Sequence, residues 1–185
     1  MGRRIFRSSL NRLGPLCAAA LLFALVGVPS ALAGNVVANP GFETGNFAGW
    51  GGGGSFGAYA DVTPTNARPG GVFSAVIGYP NRPANIDSNI YQYVVVPYYQ
   101  PRLTYWIRPQ CTSPAYDATR VIITNVSMGF SVVRNLECTT SSYWLPRSVD
   151  MSMFAGQLVQ ISFDVWSRGY GPTPTYTLLD DVSLS

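Results

Sequence analysis

Hydrophobic and polar residues alternate with a period of two along much of the chain beyond residue 34. In residues 157–166, every second residue from Val159 to Val165 is apolar, and Trp166 falls in the polar set. Residues 103–108 alternate in the same way. Because a period of two is typical of strands that bury one face, these segments predict strands with a core face and an outward face.

Short β-branched and aromatic runs are broken by Gly, Pro, Asn and Ser about every 8–12 residues, which is typical of a β-sandwich or barrel. We therefore predict an all-β fold, either a sandwich or a barrel, with one helical turn at residues 151–155. The consecutive glycines at residues 51–54 are expected to form a flexible loop. Strands are predicted at Val36–Ala38, Ser55–Val62, Val72–Ile77, Ile90–Val96, Leu103–Arg108, Arg120–Val126, Phe130–Val133, Tyr143–Val149, Leu158–Ser167 and Tyr176–Leu184.

The composition removes several kinds of chemistry. All 12 basic residues are Arg, and the chain contains neither His nor Lys. This excludes a Ser-His-Asp triad, a His-ligated zinc site, a Schiff-base lysine and a phosphate-binding P-loop lysine. Charged residues are 11% of the chain, against about 25% in an average soluble domain. The composition therefore indicates a folded domain and disfavours a charge-driven nucleic-acid binder.

Residues 1–33 have the pattern of an export signal, with a basic start, an apolar run at Leu16–Val28 and a small-x-small cleavage site at residues 31–33. We expect a secreted mature chain of residues 34–185 that forms one domain. Because Arg3-Arg4-Ile5-Phe6 resembles the twin-arginine motif, export could follow that route or the general one. The mature chain has eight Arg and nine acidic residues, a net charge of about −1. We therefore expect no nucleic-acid partner, and no membrane span in the mature chain.

Two cysteines, Cys111 and Cys138, remain after the signal. In an exported protein, an even pair is most simply interpreted as one disulfide. The alternative is two free thiols. A metal site built from two Cys without any His is disfavoured.

The two ends of the mature chain carry the most informative motif. Residues 35–45 read Asn-Val-Val-Ala-Asn-Pro-Gly-Phe-Glu-Thr-Gly and are followed by Trp50, and residues 180–184 read Asp-Asp-Val-Ser-Leu. These ends resemble the galactose-binding-like jelly rolls that include many bacterial carbohydrate-binding modules. The resemblance extends over nearly all of residues 35–185. It implies an all-β fold, an antiparallel β-sandwich of jelly-roll type, and a non-catalytic carbohydrate-binding role.

The resemblance also implies a structural Ca²⁺ site. Matching the motifs assigns to it the backbone carbonyl of Gly41, the side chain of Glu43 and one carboxylate of the Asp180–Asp181 pair, with a further carbonyl expected from residues 66–71. An all-oxygen set of this kind suits Ca²⁺. The alternation places Asp180 and Asp181 on opposite faces and leaves open which of them reaches the ion. The alternative is that Glu43 caps backbone amides and that Asp181 is a solvated surface residue.

Several aromatic and polar residues fall on outward faces of the predicted strands. Aromatic rings pack against the apolar side of a sugar ring, and planar polar groups hydrogen-bond its hydroxyls. If the strands share one sheet, these residues form a glycan-binding face, although each aromatic could instead be core or plain surface, and Trp50 is expected in the core. The loop aromatics offer a rival site, at Tyr98, Tyr99, Trp144 and Tyr170. The predicted face consists of Tyr91, Tyr93, Trp106, Arg108, Gln160, Asp164 and Trp166.

Two other classes of function compete with carbohydrate binding. Glycoside hydrolysis needs a pair of carboxylates, but Glu43 is assigned to the calcium motif, and neither Glu137 nor Asp164 has an evident acidic partner. We therefore expect no enzymatic activity. The chain could also be a structural or adhesive surface protein, which would show a large exposed apolar patch.

Overall fold

Ten strands form two five-stranded antiparallel sheets in the described part of the chain. The structure is a computed structural model that describes residues 34–55, 59–64, 67–99 and 101–185. The export signal predicted for residues 1–33 lies outside these residues. The strands are β1 Gly51–Ser55, β2 Ala60–Thr63, β3 Ser74–Gly78, β4 Asn85–Val95, β5 Arg102–Gln110, β6 Asp117–Asn125, β7 Ser131–Glu137, β8 Leu145–Asp150, β9 Leu158–Arg168 and β10 Tyr176–Leu184, with a short 3₁₀ turn at Ser152–Phe154 between β8 and β9.

The strands divide into two sheets, which we call sheet A and sheet B. Sheet A has the order β1-β4-β9-β6-β7, and sheet B has the order β2-β3-β10-β5-β8. The longest ladder pairs β4 with β9, from Asn85 opposite Arg168 to Val95 opposite Leu158. The prediction of an all-β antiparallel sandwich is confirmed. No helix in the described part of the chain is long and apolar enough to cross a membrane.

The core lies between the inner faces of the two sheets. On β9, every second residue from Val159 to Val165 is at most 3% exposed, as the alternation predicted. Each fully buried side chain of this kind contributes about 1.5–3 kcal/mol. Trp50 is also buried, with its ring centroid 5.5 Å from that of Phe42 and 6.0 Å from that of Phe163.

The two ends of the chain lie side by side. The side-chain amide of Asn35 donates to the carbonyl of Val182 at 2.9 Å, and its oxygen accepts from the amide of Leu184 at 3.0 Å. The predicted strand at Val36–Ala38 is wrong. The amides of Val37 and Ala38 bond to the side chains of Asn35 and Gln92, so this segment does not form a ladder.

The flexible loop predicted at residues 51–54 is also wrong, because these glycines form β1 and pair with β4. A Cβ atom on Gly51 would lie 2.5 Å from the ring of Tyr91. The tyrosine ring therefore lies directly over the backbone of Gly51, which only glycine allows. The glycines that suggest a flexible loop instead allow an aromatic ring to approach the backbone of β1 closely.

The predicted disulfide is confirmed. Cys111 and Cys138 are bonded, with their Cα atoms 5.0 Å apart and a separation of 27 positions in sequence. Cys111 follows β5 of sheet B and Cys138 follows β7 of sheet A, so the bond links the two sheets at one end of the sandwich. The hydroxyl of Thr140 holds the backbone of Cys111 by accepting from its amide at 3.1 Å and donating to its carbonyl at 3.0 Å.

Candidate ligand-binding face

Five of the seven residues predicted for the glycan-binding face share the outer face of sheet A. Tyr91 and Tyr93 lie on β4, and Gln160, Asp164 and Trp166 lie on the neighbouring strand β9. We call this surface, together with Asp87 on β4 and Arg120 on β6, the sheet-A face. Tyr93 lies directly opposite Gln160 in the ladder.

Trp106 and Arg108 do not belong to this face. Both lie on β5 of sheet B, whose outer side faces away from sheet A. The guanidinium of Arg68 covers the ring of Trp106 at 3.9 Å from its centroid, and Arg108 lies 5.9 Å from the ring of Trp144. The alternation predicts correctly that both side chains point away from the core, but it carries no information about which sheet β5 joins.

The aromatic end of the sheet-A face is held in place by its neighbours. The rings of Tyr91 and Tyr93 meet edge to face, with centroids 5.8 Å apart. Tyr93 is 56% exposed, and its hydroxyl accepts a hydrogen bond from the amide of Gln160 at 3.1 Å. Because Gly51 supports the ring of Tyr91 from below, both rings are positioned before any ligand arrives.

The opposite end of the face carries Trp166. The guanidinium of Arg168 lies 4.9 Å from the Trp166 ring centroid, in cation–π contact. Gln160 and Trp166 are six residues apart on one strand, which corresponds to about 20 Å at a rise of about 3.3 Å per residue. The face is therefore long enough to contact several units of an extended polymer.

Polar side chains form the middle of the face. Ser162 and Asp164 point outward, yet they are only 7% and 2% exposed, because taller side chains on the adjacent strands flank them. Tyr91 lies opposite Ser162 on one side, and Ile122 lies opposite it on the other. The face thus dips between its aromatic ends, and the floor of the dip is polar.

Asp164 is the most perturbed group of the face. Burial, followed by a hydrogen bond that the protonated form of Asp164 makes with Asp87, raises its pKa to about 7, while the charge of Arg120 opposes both effects. The Nε atom of Arg120 donates to Asp164 at 2.5 Å. Sequence reasoning missed Asp87 and Arg120. Two signals were available. Asp87 is separated from Tyr91 and Tyr93 by even numbers of positions, so it shares their face of β4, and Arg120 is a lone charged residue in the apolar strand predicted at Arg120–Val126.

Asp87 lies close enough to Asp164 to raise its pKa by a hydrogen bond and by its charge. Arg120 also holds the Asp164 carboxylate. What the arrangement can do is accept and donate hydrogen bonds to a polar ligand.

The residues implied for calcium do come together, next to sheet B. We call Glu43, Asp180 and Asp181 the carboxylate cluster. A Cβ atom on Gly41 would lie 3.4 Å from an Asp180 oxygen, 3.5 Å from an Asp181 oxygen and 3.5 Å from Cγ of Glu43. The ends of the chain therefore place three carboxylate side chains around one glycine.

These carboxylates already have partners within the protein. Both oxygens of Glu43 accept from the amide of Val72 at 3.0 Å. Asp180 accepts from the amides of Arg68 and of Asp181, and the side chain of Arg68 contacts the carboxylate of Asp181. The alternative interpretation of Glu43, as a residue that caps backbone amides, therefore describes its hydrogen bonds.

Whether Ca²⁺ fits this cluster depends on its chemistry and its geometry. The donors are all hard oxygens, as Ca²⁺ requires. Asp180 is 2% exposed, and burial raises its pKa to about 6, with the charges of Asp181 and Glu43 adding to the effect. A cation would relieve this repulsion. The described residues contain no group of three or more acidic, His or Cys side chains placed to hold a metal. Because Arg68 occupies the carboxylate of Asp181, ion binding would need this contact to open.

Comparisons with known proteins identify the fold. No family model matches the chain, and no curated protein matches its sequence. A family 61 carbohydrate-binding module in complex with β-1,4-galactotriose has a TM-score of 0.63 and 19% identity, over 82% of this chain and 97% of that one. The CBM22-1 xylan-binding domain of Paenibacillus barcinonensis Xyn10C has a TM-score of 0.52 and 16% identity, over 82% and 94%. The K1 cleaved adhesin domain of Lys-gingipain from Porphyromonas gingivalis W83 has a TM-score of 0.59 and 16% identity, over 78% and 95%.

The chain therefore has a jelly-roll β-sandwich fold like that of these carbohydrate-binding modules, which confirms the predicted fold class. At these identities the likeness concerns the fold. Because folds of this kind carry many different ligands, the function has to be argued from the site.

Proposed function

We propose that the protein is a secreted, non-catalytic carbohydrate-binding module that binds a neutral oligo- or polysaccharide along the sheet-A face. The observation that carries the proposal is the combination of aromatic rings at both ends of a polar dip on one sheet. The disulfide supports an oxidising compartment. Carbohydrate-binding modules among the structures of similar fold support the class of ligand.

Each part of the face has a role in this proposal. Tyr91 and Tyr93 at one end, and Trp166 at the other, pack against the apolar sides of sugar rings. Between them, the half-buried Asp87 accepts hydrogen bonds from sugar hydroxyls, while the buried Asp164 holds Arg120 in place. Binding costs little ordering of side chains, because the rings and the acidic pair are already held by their neighbours.

The proposal is tested by titrating the protein with β-1,4-galactotriose, xylohexaose and cellohexaose in a calorimeter, after a glycan-array screen. Tyr93→Ala and Trp166→Ala should each weaken binding by roughly tenfold or more, since each removes apolar ring surface whose burial is worth about 1.5–3 kcal/mol. Tyr143→Ala is the matched control, because Tyr143 is 78% exposed and lies in the loop before β8. If the control weakens binding as much as the two face variants do, the ligand does not bind on this face.

A second candidate function rests on a different observation. Val95 and Leu158 lie opposite each other at one end of sheet A and are 56% and 41% exposed, and Met128 nearby in the β6–β7 turn is 71% exposed. Exposed apolar side chains of this kind suit contact with a protein. Under this adhesive alternative, Leu158→Glu would abolish binding to a protein partner and leave glycan binding unchanged, whereas the carbohydrate proposal predicts no such partner.

We also propose that the carboxylate cluster binds Ca²⁺ as a structural ion. Hard-oxygen donors and a buried, destabilised carboxylate at Asp180 support this. The free energy of unfolding should then rise by about 2.7 kcal/mol when calcium is present at about 100 times its Kd, relative to a chelator. Differential scanning calorimetry measures this. Glu43→Gln should remove the calcium response, and an unchanged response in that variant would refute the assignment of Glu43.

A further inference from the structure

A recess with a volume of about 280 Å³ opens on the outer face of sheet B, on the side of the sandwich opposite to the sheet-A face. Its size lies just below the range for small-molecule sites, about 300–1,000 Å³, which suits a ligand of one ring. We call it the sheet-B recess and define it by five of the residues that line it, Tyr59, Asp61, Val76, Tyr176 and Leu178.

The floor of the recess is apolar and is built by neighbouring strands. Val76 on β3 lies between Asp61 on β2 and Leu178 on β10 in the ladder. Val76 and Leu178 point away from the core and do not join the core cluster, yet they are only 5% and 3% exposed. Residues that face outward but stay covered mark a depression in the sheet surface, since a flat sheet would leave them in solvent.

One wall of the recess is fixed before any ligand binds. The ring of Tyr59 stacks on that of Tyr79 with centroids 5.0 Å apart, and the guanidinium of Arg82 lies 4.8 Å from the Tyr79 ring centroid on this stack. The backbone amide of Tyr59 donates to the hydroxyl of Ser88 at 2.8 Å. The position of the wall is therefore set by contacts outside the recess, which lowers the entropy cost of binding.

The rim supplies a hydrogen-bond acceptor. Asp61 is exposed, and among the described residues that line the recess it is the one charged side chain. One of its oxygens accepts from the amide of Val62 at 2.8 Å, and the other lies 3.4 Å from the hydroxyl of Tyr59. A carboxylate has about four acceptor positions, so Asp61 can still accept from ligand hydroxyls.

We propose that the sheet-B recess is a second carbohydrate site, which takes one sugar ring or the end of a neutral glycan chain. An apolar floor, a fixed aromatic wall and one acidic acceptor suit a neutral ring with hydroxyl groups, and Asp61 disfavours an anionic sugar. The ligand class rests on the proposed function, but none of these residues belongs to the sheet-A face. With sites on opposite sides, one molecule holds two glycan chains, which increases avidity for an insoluble polymer.

The two sites are distinguished by nuclear magnetic resonance of the ¹⁵N-labelled protein produced from the full chain. The probes are the three oligosaccharides named above. We expect two separate groups of shifted amides, one on β4 and β9 and one at Asp61, Val76 and Leu178. Asp61→Ala should weaken the second response by about tenfold or more and leave the first unchanged, because it removes hydrogen bonds to a charged acceptor. Tyr93→Ala should weaken the response of β4 and β9 and leave the response of the recess unchanged.

The outcomes separate the two proposals. If amides on β4 and β9 shift while those of the recess do not, the second site is overturned and the proposed function stands. If recess amides alone shift, the second site stands and the sheet-A proposal fails. If no amide shifts with any probe, both are overturned. A further check is the precipitation of long-chain xylan, because a protein with two binding sites can cross-link the polymer. Asp61→Ala or Tyr93→Ala alone should abolish this precipitation.

Discussion

Replacing Gly51 by Ala should displace the ring of Tyr91, whereas the same replacement at Gly52 should not. A Cβ atom on Gly51 would lie 2.5 Å from the ring, while at Gly52 the nearest atom is the Asn89 carbonyl oxygen at 3.9 Å. Carbon atoms in contact normally lie about 3.5–4.0 Å apart. The ring of Tyr91 must therefore move by about 1 Å, which also disturbs its edge-to-face contact with Tyr93.

The magnitude follows from comparing the two variants. Each gains about 0.4–1 kcal/mol in the free energy of unfolding, because Ala restricts the unfolded chain more than Gly does. Gly51→Ala alone also pays for overpacking, about 1–3 kcal/mol. Since the entropy gain cancels in the difference, Gly51→Ala should be less stable than Gly52→Ala by about 1–3 kcal/mol, and its binding on the sheet-A face should weaken.

Urea denaturation of both variants measures this difference, and a double-mutant cycle with Tyr91→Ala isolates its cause. In the Tyr91→Ala background the clash is absent, so Gly51→Ala should become as favourable as Gly52→Ala. Equal stabilities of the two glycine variants in the wild-type background would refute the close approach. So would a Gly51→Ala effect that persists without the tyrosine ring.

Three further predictions concern the disulfide, the acidic pair and the two outward-facing tryptophans, Trp106 and Trp166. Replacing Cys111 and Cys138 by Ser should lower the free energy of unfolding by about 3.5 kcal/mol for a loop of this length, and an unchanged urea midpoint would contradict it. Because burial raises the pKa of Asp164 to about 7 in the folded protein, its contribution to stability is complete below about pH 4 and is lost as the pH rises towards 7. Denaturation across that range should show a slope that Asp164→Asn reduces, with the remainder coming from Asp180, whose pKa burial raises to about 6, and an equal slope in both proteins would contradict the pKa assignment. Trp166→Ala should weaken glycan binding in the calorimeter and Trp106→Ala should not, since Trp106 lies on the other sheet.

The alternation along each strand predicted burial well, because side chains on a strand point to opposite faces with a fixed period. Tyr91 and Tyr93 were placed outward on this basis, and they are outward. Alternation does not contain the order of strands in a sheet. That order depends on pairing across long stretches of chain, such as β5 with β10, and this is why Trp106 and Arg108 were grouped with the wrong face.

The acidic partner of Asp164 could not be predicted from the sequence for a similar reason. Asp87 lies 77 residues earlier, and the two side chains meet only because β4 and β9 pair in one particular register. The motif at the chain ends, in contrast, predicted correctly that Glu43 and Asp180 lie close together. The hydrogen bonds of Glu43 could not be predicted, since its partners are backbone amides of a loop whose path depends on the fold.

Outward-facing residues that are nevertheless covered mark the depression on each sheet, and the chemistry of these residues differs. On sheet A they are Ser162 and Asp164, which are polar, and on sheet B they are Val76 and Leu178, which are apolar. A buried polar group left without a partner costs about 1–3 kcal/mol, so a polar floor penalises any sugar whose hydroxyls do not match it. An apolar floor has no polar groups that a sugar hydroxyl must satisfy, so it imposes no such penalty. The sheet-A face should therefore determine which glycan is chosen, and the sheet-B recess should add affinity with less discrimination between sugars.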